Sequence, residues 1–360
     1  MDDIIKSHKV IVCAGSGGVG KTTVAASVGL RAAQLGLKAL VLTIDPARRL
    51  ATALGIKAAG EAVQVNVQDA SGQLWAEMIN PDLIFDQFIE NTAPDKDTVD
   101  RIKNNKLYHQ LSTTLSGSQE FTSLVKLHDA VSSGDYDLVI LDTPPAQHAV
   151  DFLNAPEKIY SLFQSTVTKW FIREKGQQPG FFKKLVNRGT QTVLGVFEKI
   201  TGSEFMGELS EFFLALTELQ DEIGKKSIST HRLLVDDKTT FVLVTSFDES
   251  KLQEAETFHK YLRRGGYSLA SVIINRAFPE WFQNADPDQL AQAMQVLPGD
   301  LQRQGELRCQ YFDRRRNLYK RFQIQYSESL RVVTLPELNS DAFGLQGLAR
   351  IADYLTTSED

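Results

Sequence analysis

Six short runs of consecutive apolar residues, rich in β-branched side chains, recur along the chain. They are KVIVC (9–13), KALVLTI (38–44), YDLVILD (136–142), TFVLVTS (240–246), SVIIN (271–275) and RVVTL (331–335). A strand buried on both faces reads as a continuous apolar run, whereas a strand with one wet face alternates. The runs therefore predict the strands of a parallel sheet that is covered on both sides.

Helical patterns separate several of these strands. The segment TTVAASVGLRAAQLG (22–36) ends at Gly36, and ESKLQEAETFHKYLRRGG (249–266) ends at Gly265 and Gly266. Glycine is common just after the C-terminus of a helix because it adopts a positive φ without strain. Strands that alternate with helices indicate an α/β fold with a doubly wound, mostly parallel sheet.

Two long intervals have no strand pattern, about 81–131 and 155–237, and both are expected to be helical insertions. We therefore predict a core formed by residues 1–154 and 238–360, with a helical insertion at about 81–131 and a helical subdomain at 155–237. No internal repeat or low-complexity linker divides the chain, so a single compact unit with a helical subdomain is the simplest prediction.

Charge and cysteine content exclude some classes of function. A net charge of −6 provides no general attraction for nucleic acid or anionic lipid, so no nucleic acid is expected as a partner. Cys13 and Cys309 have no cysteine neighbours, which excludes a disulfide framework or a zinc knuckle and favours a reducing compartment. The N-terminus lacks a secretory signal pattern and no run approaches about 18 apolar residues, so we expect a cytoplasmic location.

The glycine-rich segment AGSGGVGKTT (14–23) follows the first predicted strand and begins the first predicted helix. Gly15, Gly20, Lys21 and Thr22 have the spacing of a Walker A phosphate-binding loop. Backbone N–H groups and the helix N-terminus of such a loop bind phosphate, its lysine adds a positive charge, and its hydroxyl holds Mg²⁺. The predicted fold is therefore that of a P-loop NTPase. The predicted nucleotide-binding loop residues are Gly15, Ser16, Gly17, Gly18, Val19, Gly20, Lys21, Thr22 and Thr23, with Lys21 also catalytic and Thr22 a Mg²⁺ ligand.

Two aspartates follow predicted strands. Asp45 lies in TIDPARRLATALG (43–55) and Asp142 in LDTPPAQHAVDFLNAP (141–156). Ligands of open α/β sheets bind at the carboxyl ends of the strands, where both side chains are expected. Asp142 could bind Mg²⁺ or its waters and Asp45 could orient an attacking water. Either residue could instead cap a helix.

Five segments occur in an order that resembles the ArsA-type ATPases. They are GSGGVGKTT, DPARRL, EMINP (77–81), YDLVILDTPPAQHAVDFLNAP and VIINR (272–276). That family includes arsenite-pump ATPases and the eukaryotic factor that targets tail-anchored membrane proteins. The resemblance spans nearly the whole chain and implies a dimeric enzyme that hydrolyses ATP with Mg²⁺.

The resemblance also implies roles for single residues. In the first switch, which contains DPARRL (45–50), Asp45 becomes the carboxylate that polarises the attacking water. In the second switch, which contains DTPPAQH (142–148), Asp142 becomes the magnesium residue, and both aspartates contact Mg²⁺ through water. Asn275 becomes an adenine contact, and Asp248 lies where the targeting factors keep a glutamate near the nucleotide. His148 belongs to the second switch. Leu335 and Pro336 occupy the place where the backbone of the family lines the adenine pocket.

The loop departs from the family at one position. Ser16 stands where the family keeps a lysine that reaches across the dimer interface to the phosphates of the partner, and a serine brings neither the length nor the charge. Arg48 and Arg49, in the first switch, are candidates to replace this cation. Alternatively, they are solvated residues at the start of a helix.

The subdomain at 155–237 is rich in aromatic residues. One apolar stripe repeats at steps of four and three, and it consists of Phe205, Leu209, Phe212, Leu216, Leu219 and Ile223. Such a surface could line a groove for a hydrophobic client or a membrane-associated protein. The alternative is that these helices pack on one another or on a second subunit.

Three functional hypotheses follow. The first is a cytoplasmic, dimeric ATPase whose nucleotide state switches a subdomain that holds a client or docks a partner. The second is a nucleotide-binding regulatory subunit of a heterodimer with a lysine-bearing paralogue, slow in isolation. The third is the ATPase of an anion pump, which the missing cysteine trio for arsenite disfavours. The paired CxxC cysteines with which the targeting factors bind zinc are also missing, so no structural metal is expected.

Overall fold

The computed structural model describes most of the chain. The described residues are 1–44, 49–56, 60–68, 70–105, 108, 118–144, 150, 152–155, 157–158, 208, 212, 215, 218–279, 282, 287–326, 330–338 and 344–357. Helices and strands are numbered in chain order over these residues.

Eight strands form one sheet. They are β1 (Val10–Gly15), β2 (Lys38–Thr43), β3 (Val63–Val65), β4 (Gln73–Met78), β5 (Leu138–Asp142), β6 (Thr239–Thr245), β7 (Leu269–Ile274) and β8 (Arg331–Thr334). Their order across the sheet is β3-β4-β2-β5-β1-β6-β7-β8. Neighbouring strands are parallel, except that β3 runs antiparallel to β4. This mostly parallel sheet confirms the predicted α/β fold.

All six predicted strands are present, with ends shifted by at most two residues from the apolar runs. Strands β1, β5 and β6 are buried at every position, as a continuous apolar run requires. The pattern did not predict β3 and β4. Strand β4 mixes buried and partly exposed positions, and β3 is a three-residue strand at the sheet edge, so neither produces a long apolar run.

The helices that the structure describes flank this sheet or belong to the insertions. They are α1 (Asp2–Ser7), α2 (Lys21–Gln34), α3 (Arg49–Leu54), α4 (Pro81–Thr92), α5 (Lys96–Lys103), α6 (Ser118–Ser133), α7 (Gln220–Leu234), α8 (Glu249–Arg264), α9 (Pro287–Gln295), α10 (Gly299–Tyr326) and α11 (Gly344–Thr357). Within these ranges, no helix combines the length and the apolar character needed to cross a membrane.

Helix α2 positions the phosphate loop against the core. It contacts β1, β2, β4 and β5 on one side and α11 on another. Its Val24 and Val28 are fully buried, together with Leu348 and Leu355 of α11. At its end Gly36 has a φ of +90°, a conformation in which a side chain would be strained. The helix is therefore held firmly by apolar burial, and its first turn is fixed relative to the sheet.

The chain divides into two compact units. Unit 1 comprises Met1–Ile79, Leu127–Phe152 and Arg232–Asp360 and contains the whole sheet. Unit 2 comprises Asn80–Lys126 and Leu153–His231, and the regular elements in its described part are helices.

Local polar bonds determine where the helices of unit 2 begin. The Asn80 side chain accepts a hydrogen bond at the N-terminus of α4, and the Asp95 side chain accepts one from Thr98 N at the start of α5. The Thr98 hydroxyl donates to a Glu218 oxygen at 2.7 Å, and Arg101 pairs with the same carboxylate at 3.0 Å. These bonds tie α5 to the segment that precedes α7.

The predicted apolar stripe of residues 205–223 is described only in part. Phe212, Leu219 and Ile223 are each at most 3% exposed, so these three side chains are packed inside the protein. Phe205, Leu209 and Leu216 lie outside the described residues, as does most of 155–217.

Candidate functional site

The phosphate loop begins where β1 ends. Strand β1 lies between β5 and β6, and its last residue, Gly15, is in register with Val244 of β6. Gly15 has a φ of +152°, and a Cβ built on it would lie 2.0 Å from the Val244 carbonyl oxygen. Only glycine permits this close approach, so the chain can leave the sheet here and turn into the loop.

The tip of the loop presents backbone to solvent. Gly17 and Gly18 are exposed, Gly18 has a φ of +77°, and no atom lies within 4 Å of the position where its Cβ would be. Gly20 also has a positive φ, +91°, immediately before α2 begins at Lys21. Exposed backbone at the N-terminus of a well-packed 14-residue helix is suited to binding phosphate oxygens.

Lys21 lies across the loop. Its Nζ donates a hydrogen bond to the Ser16 carbonyl oxygen at 2.8 Å, and the residue is only 8% exposed. The ammonium group is thus already largely removed from water and directed at the loop. A phosphate oxygen can replace the carbonyl as its acceptor with little further desolvation, which suits the predicted phosphate-binding role.

Thr22 and Asp142 meet beside the loop. The Thr22 hydroxyl donates to Asp142 Oδ2 at 2.6 Å, and Thr43, at the end of β2, donates to the same oxygen at 2.9 Å. Sheet register explains this arrangement, because Asp142 is paired with Cys13 on one side and with Thr43 on the other. The cluster offers oxygen atoms alone, the ligand type that Mg²⁺ prefers. Sequence reasoning had not identified Thr43.

Asp142 also affects Cys13, its neighbour in β1. Burial raises the pKa of the Cys13 thiol well above its usual value, and the adjacent Asp142 charge raises it further, although Lys21 opposes this shift. The thiol is therefore neutral at physiological pH and is a packing group here, not a nucleophile.

Asn275 bridges β7 and the phosphate loop. Its Nδ2 donates to the Val19 carbonyl oxygen at 2.8 Å, and its Oδ1 accepts from Arg276 N at 3.0 Å. A Cβ at Gly20 would lie 2.3 Å from Asn275 Nδ2, so the loop can approach this amide only because residue 20 is glycine. The Asn275 amide nitrogen contacts the loop, and the adenine contact of this residue stays a prediction.

We expect Asn275→Ala to weaken both the fold and the loop. The substitution removes the donor to the buried Val19 carbonyl, which should lower the free energy of unfolding by about 1–3 kcal/mol and nucleotide affinity several-fold. Urea denaturation and equilibrium binding of ADP with Mg²⁺ measure the two effects. Gln253→Ala, at an exposed position of α8, is the control. Unchanged ADP affinity in Asn275→Ala would show that the bridge does not support the loop.

The three other residues predicted to lie near the nucleotide have structural roles in this fold. Asp248 is exposed and caps α8, accepting hydrogen bonds from Ser250 N and Oγ that hold its pKa below the usual value. Leu335 is buried, with its backbone N bonded to Ile274 O and its carbonyl to Ala277 N. Pro336 is buried beside it. Proximity of these three residues to a nucleotide stays a prediction.

Several predicted switch residues lie outside the described residues. These are Asp45, Arg48 and His148. Arg49 is described, and it is the exposed first residue of α3. Thr23 lies in the first turn of α2 and is partly buried.

Ser16 makes a contact that sequence reasoning missed. It is 2% exposed, and its hydroxyl donates to Glu254 Oε2, in α8, at 2.5 Å. Lys251 Nζ lies 3.0 Å from the other oxygen, Oε1. Helix α8 follows β6, and β6 is the neighbour of β1 in the sheet. The polar residues in the first turns of α8 were therefore the sequence signal that could have identified this contact.

Comparisons with known proteins identify a family and several relatives of the whole chain. The family described as anion-transporting ATPase matches residues 8–357 of the chain. A protein of Aquifex aeolicus named "Putative arsenical pump-driving ATPase 1" is 23% identical over 369 residues, covering 98% of this chain and 79% of that protein. ATPase GET3 of Malassezia globosa is 25% identical over 353 residues, covering 97% of this chain and 91% of that protein. ATPase ASNA1 homolog 2 of Paramecium tetraurelia is 24% identical, with 97% and 94% covered.

The family match covers nearly the entire chain. The chain therefore belongs to the anion-transporting ATPase family and is an ArsA-type ATPase.

Proposed function

We propose that this chain is a cytoplasmic, Mg²⁺-dependent and dimeric ATPase whose nucleotide state switches a helical subdomain that acts on a client or partner protein. The grouping of Lys21 and Thr22 with Asp142, the last residue of β5, beside the phosphate loop is the observation that supports it most directly. Both cysteines are free thiols, which is consistent with a reducing cytoplasm.

In this proposal each residue has one task. Lys21 moves from the Ser16 carbonyl to the β- and γ-phosphates, and the loop N–H groups hold the remaining phosphate oxygens. Thr22 would hold Mg²⁺ directly and Asp142 would hold it through water. Bound Mg²⁺ would supply positive charge to the β- and γ-phosphates. Asp45 orients the attacking water, and phosphoryl transfer to that water completes hydrolysis.

The client is proposed to be hydrophobic or membrane-associated, on the basis of the aromatic-rich composition of 155–237. Phe212, Leu219 and Ile223 are buried and so are unavailable to a client. A client surface would therefore be formed by other residues of this interval. An arsenite-like anion pump is disfavoured, because the chain has only two cysteines and Cys13 is fully buried.

Ser16 supports a second form of the proposal. Its hydroxyl is bonded within its own chain to Glu254, and it carries no charge that could cross to the phosphates of a partner. A homodimer would lack this cation at both sites. We propose that a lysine-bearing paralogue supplies it in a heterodimer, unless Arg48 or Arg49 replaces it in a homodimer.

We expect the isolated chain to hydrolyse ATP slowly and Ser16→Lys to raise its turnover at least about tenfold, since cations of this type contribute roughly 10³-fold or more in related phosphoryl transfers. Steady-state ATP turnover is measured for the pure chain, with and without proteins that co-purify with it. Ser16→Met, which adds length without charge, is the matched control.

A new lysine at this position could pair with Glu254 in its own chain. The double variant Ser16→Lys/Glu254→Gln removes that competing acceptor and is measured in parallel. If neither lysine variant is faster, while Arg48→Ala or Arg49→Ala abolishes an already brisk rate, the chain is a self-sufficient homodimer and the heterodimer proposal is wrong.

A further inference from the structure

Ser16 is held by two different side chains. Its carbonyl oxygen accepts from Lys21 Nζ at 2.8 Å, and its hydroxyl donates to Glu254 Oε2 at 2.5 Å. The first bond lies within the loop and its helix. The second joins residues 238 positions apart and connects the loop to α8, an element outside the Walker A motif.

We propose that Glu254 is a positioning residue that holds the phosphate loop in its nucleotide-binding conformation through the Ser16 hydroxyl, with Lys251 orienting its carboxylate. No motif of the loop or switches includes Glu254 or Lys251. The proposal concerns nucleotide binding by the single chain, and it does not depend on the homodimer or heterodimer form of the proposed function.

Helix α8 is rigid enough for this role. Asp248 caps its N-terminus, and Leu252, Ala255, Phe258 and Leu262 are buried along one face. These residues repeat at steps of three and four, so they anchor the helix on the sheet. Glu254 therefore extends from a fixed element toward the loop.

The bond to Ser16 is charge-assisted. The hydrogen bond from Ser16, followed by that from Lys251, holds the pKa of the Glu254 carboxyl below its usual value, so the group is ionised at neutral pH. Hydrogen bonds to an ionised acceptor are shorter and stronger than neutral ones, which fits the distance of 2.5 Å.

The Lys251–Glu254 pair alone would have little effect. Its partners are three residues apart on one helix, and their side chains are 27% and 30% exposed. Such partly exposed pairs contribute little to stability. The bond from Ser16 differs from this exposed ion pair, because Ser16 is only 2% exposed. When the carboxylate is removed, water cannot easily replace it as the acceptor for the buried hydroxyl.

A double-mutant cycle tests the proposal on the full chain. We expect Ser16→Ala and Glu254→Ala each to weaken binding of a non-hydrolysable ATP analogue with Mg²⁺ about tenfold. The double variant should bind no more weakly than either single variant, because both substitutions remove the same bond. Glu254→Gln keeps an acceptor oxygen without the charge, so its affinity for the analogue should fall less than that of Glu254→Ala.

A matched pair separates the hydroxyl from the shape of the side chain. Ser16→Thr keeps the hydroxyl and should bind the analogue more tightly than Ser16→Val, which has nearly the same shape without it. Glu256→Gln, two residues along α8, removes the same charge and should bind like the parent chain. Thermal melting of every variant separates loss of loop geometry from loss of the fold.

Either of two results would overturn the proposal. One is parental affinity in Glu254→Ala and Ser16→Val. The other is a double variant whose loss equals the product of the single losses, because the two residues would then act independently. Neither result bears on the partner lysine, since turnover of Ser16→Lys at saturating ATP, where a weaker affinity has no effect, tests that question separately.

Discussion

Lys21→Ala should lower ATP turnover about 10³-fold or more and weaken ATP binding as well. Cations that contact the transferring phosphoryl group have effects of this size, and Lys21 is the loop cation already directed at the phosphate site, 2.8 Å from the Ser16 carbonyl. Steady-state turnover and equilibrium binding of an ATP analogue measure the two losses. Lys260→Ala, on the exposed surface of α8, is the control and should behave like the parent chain.

Asp45→Asn provides the contrast to Lys21→Ala. If Asp45 orients the attacking water, its amide variant keeps ATP affinity and loses turnover, whereas the alanine variant of Lys21 loses both. Parental hydrolysis by Asp45→Asn would remove Asp45 from the catalytic machinery. Parental turnover by Lys21→Ala would show that this loop does not perform the ATPase reaction.

Gly15→Ala should lower the free energy of unfolding by about 4 kcal/mol. The new Cβ would lie 2.0 Å from the Val244 carbonyl oxygen and 3.0 Å from its carbon, and both atoms are backbone within the sheet. No flexible side chain can move aside. Either β1 and β6 separate or the loop is displaced, so we also expect weaker nucleotide binding.

Gly134→Ala is the matched control for strain alone. Gly134 has a φ of +72°, and no atom lies within 4 Å of its Cβ position. Its substitution should cost only the left-handed backbone strain, about 1 kcal/mol. Urea denaturation of both variants compares the two costs. Equal losses of unfolding free energy in the two variants would mean that the contact between the new Cβ at position 15 and Val244 is relieved at no cost in stability.

Much of the fold could be predicted because its signals are local. A strand buried on both faces is mostly apolar at consecutive positions, and β1, β5 and β6 each contain at least four consecutive apolar residues. The phosphate loop is equally local, since Gly15, which approaches Val244, and Lys21, which is predicted to bind phosphate, lie within one segment of seven residues. Strands β3 and β4 were not predicted, because β3 is a three-residue edge strand and β4 mixes buried and partly exposed positions, so neither has a comparable pattern.

The residues that surround the phosphate loop are determined by the order of the strands in the sheet, and no local sequence pattern predicts that order. Thr43 reaches Asp142 because β2 is the neighbour of β5, and Asn275 reaches Val19 across 256 positions of sequence. The residues alone show that Ser16 departs from the family pattern, and they offer Arg48 and Arg49 of the first switch as candidate replacements, but they do not show what Ser16 contacts.

The sequence by itself determined the class of sheet, the Walker A loop and the serine at position 16, because each can be identified from neighbouring residues. Only the tertiary structure decided what Ser16 contacts. Parallel pairing of β1 with β6 places α8 beside the loop, and this brings Glu254 to the serine hydroxyl. The position of α8 beside the loop is determined by packing of the whole sheet, in which many individually weak contacts add up.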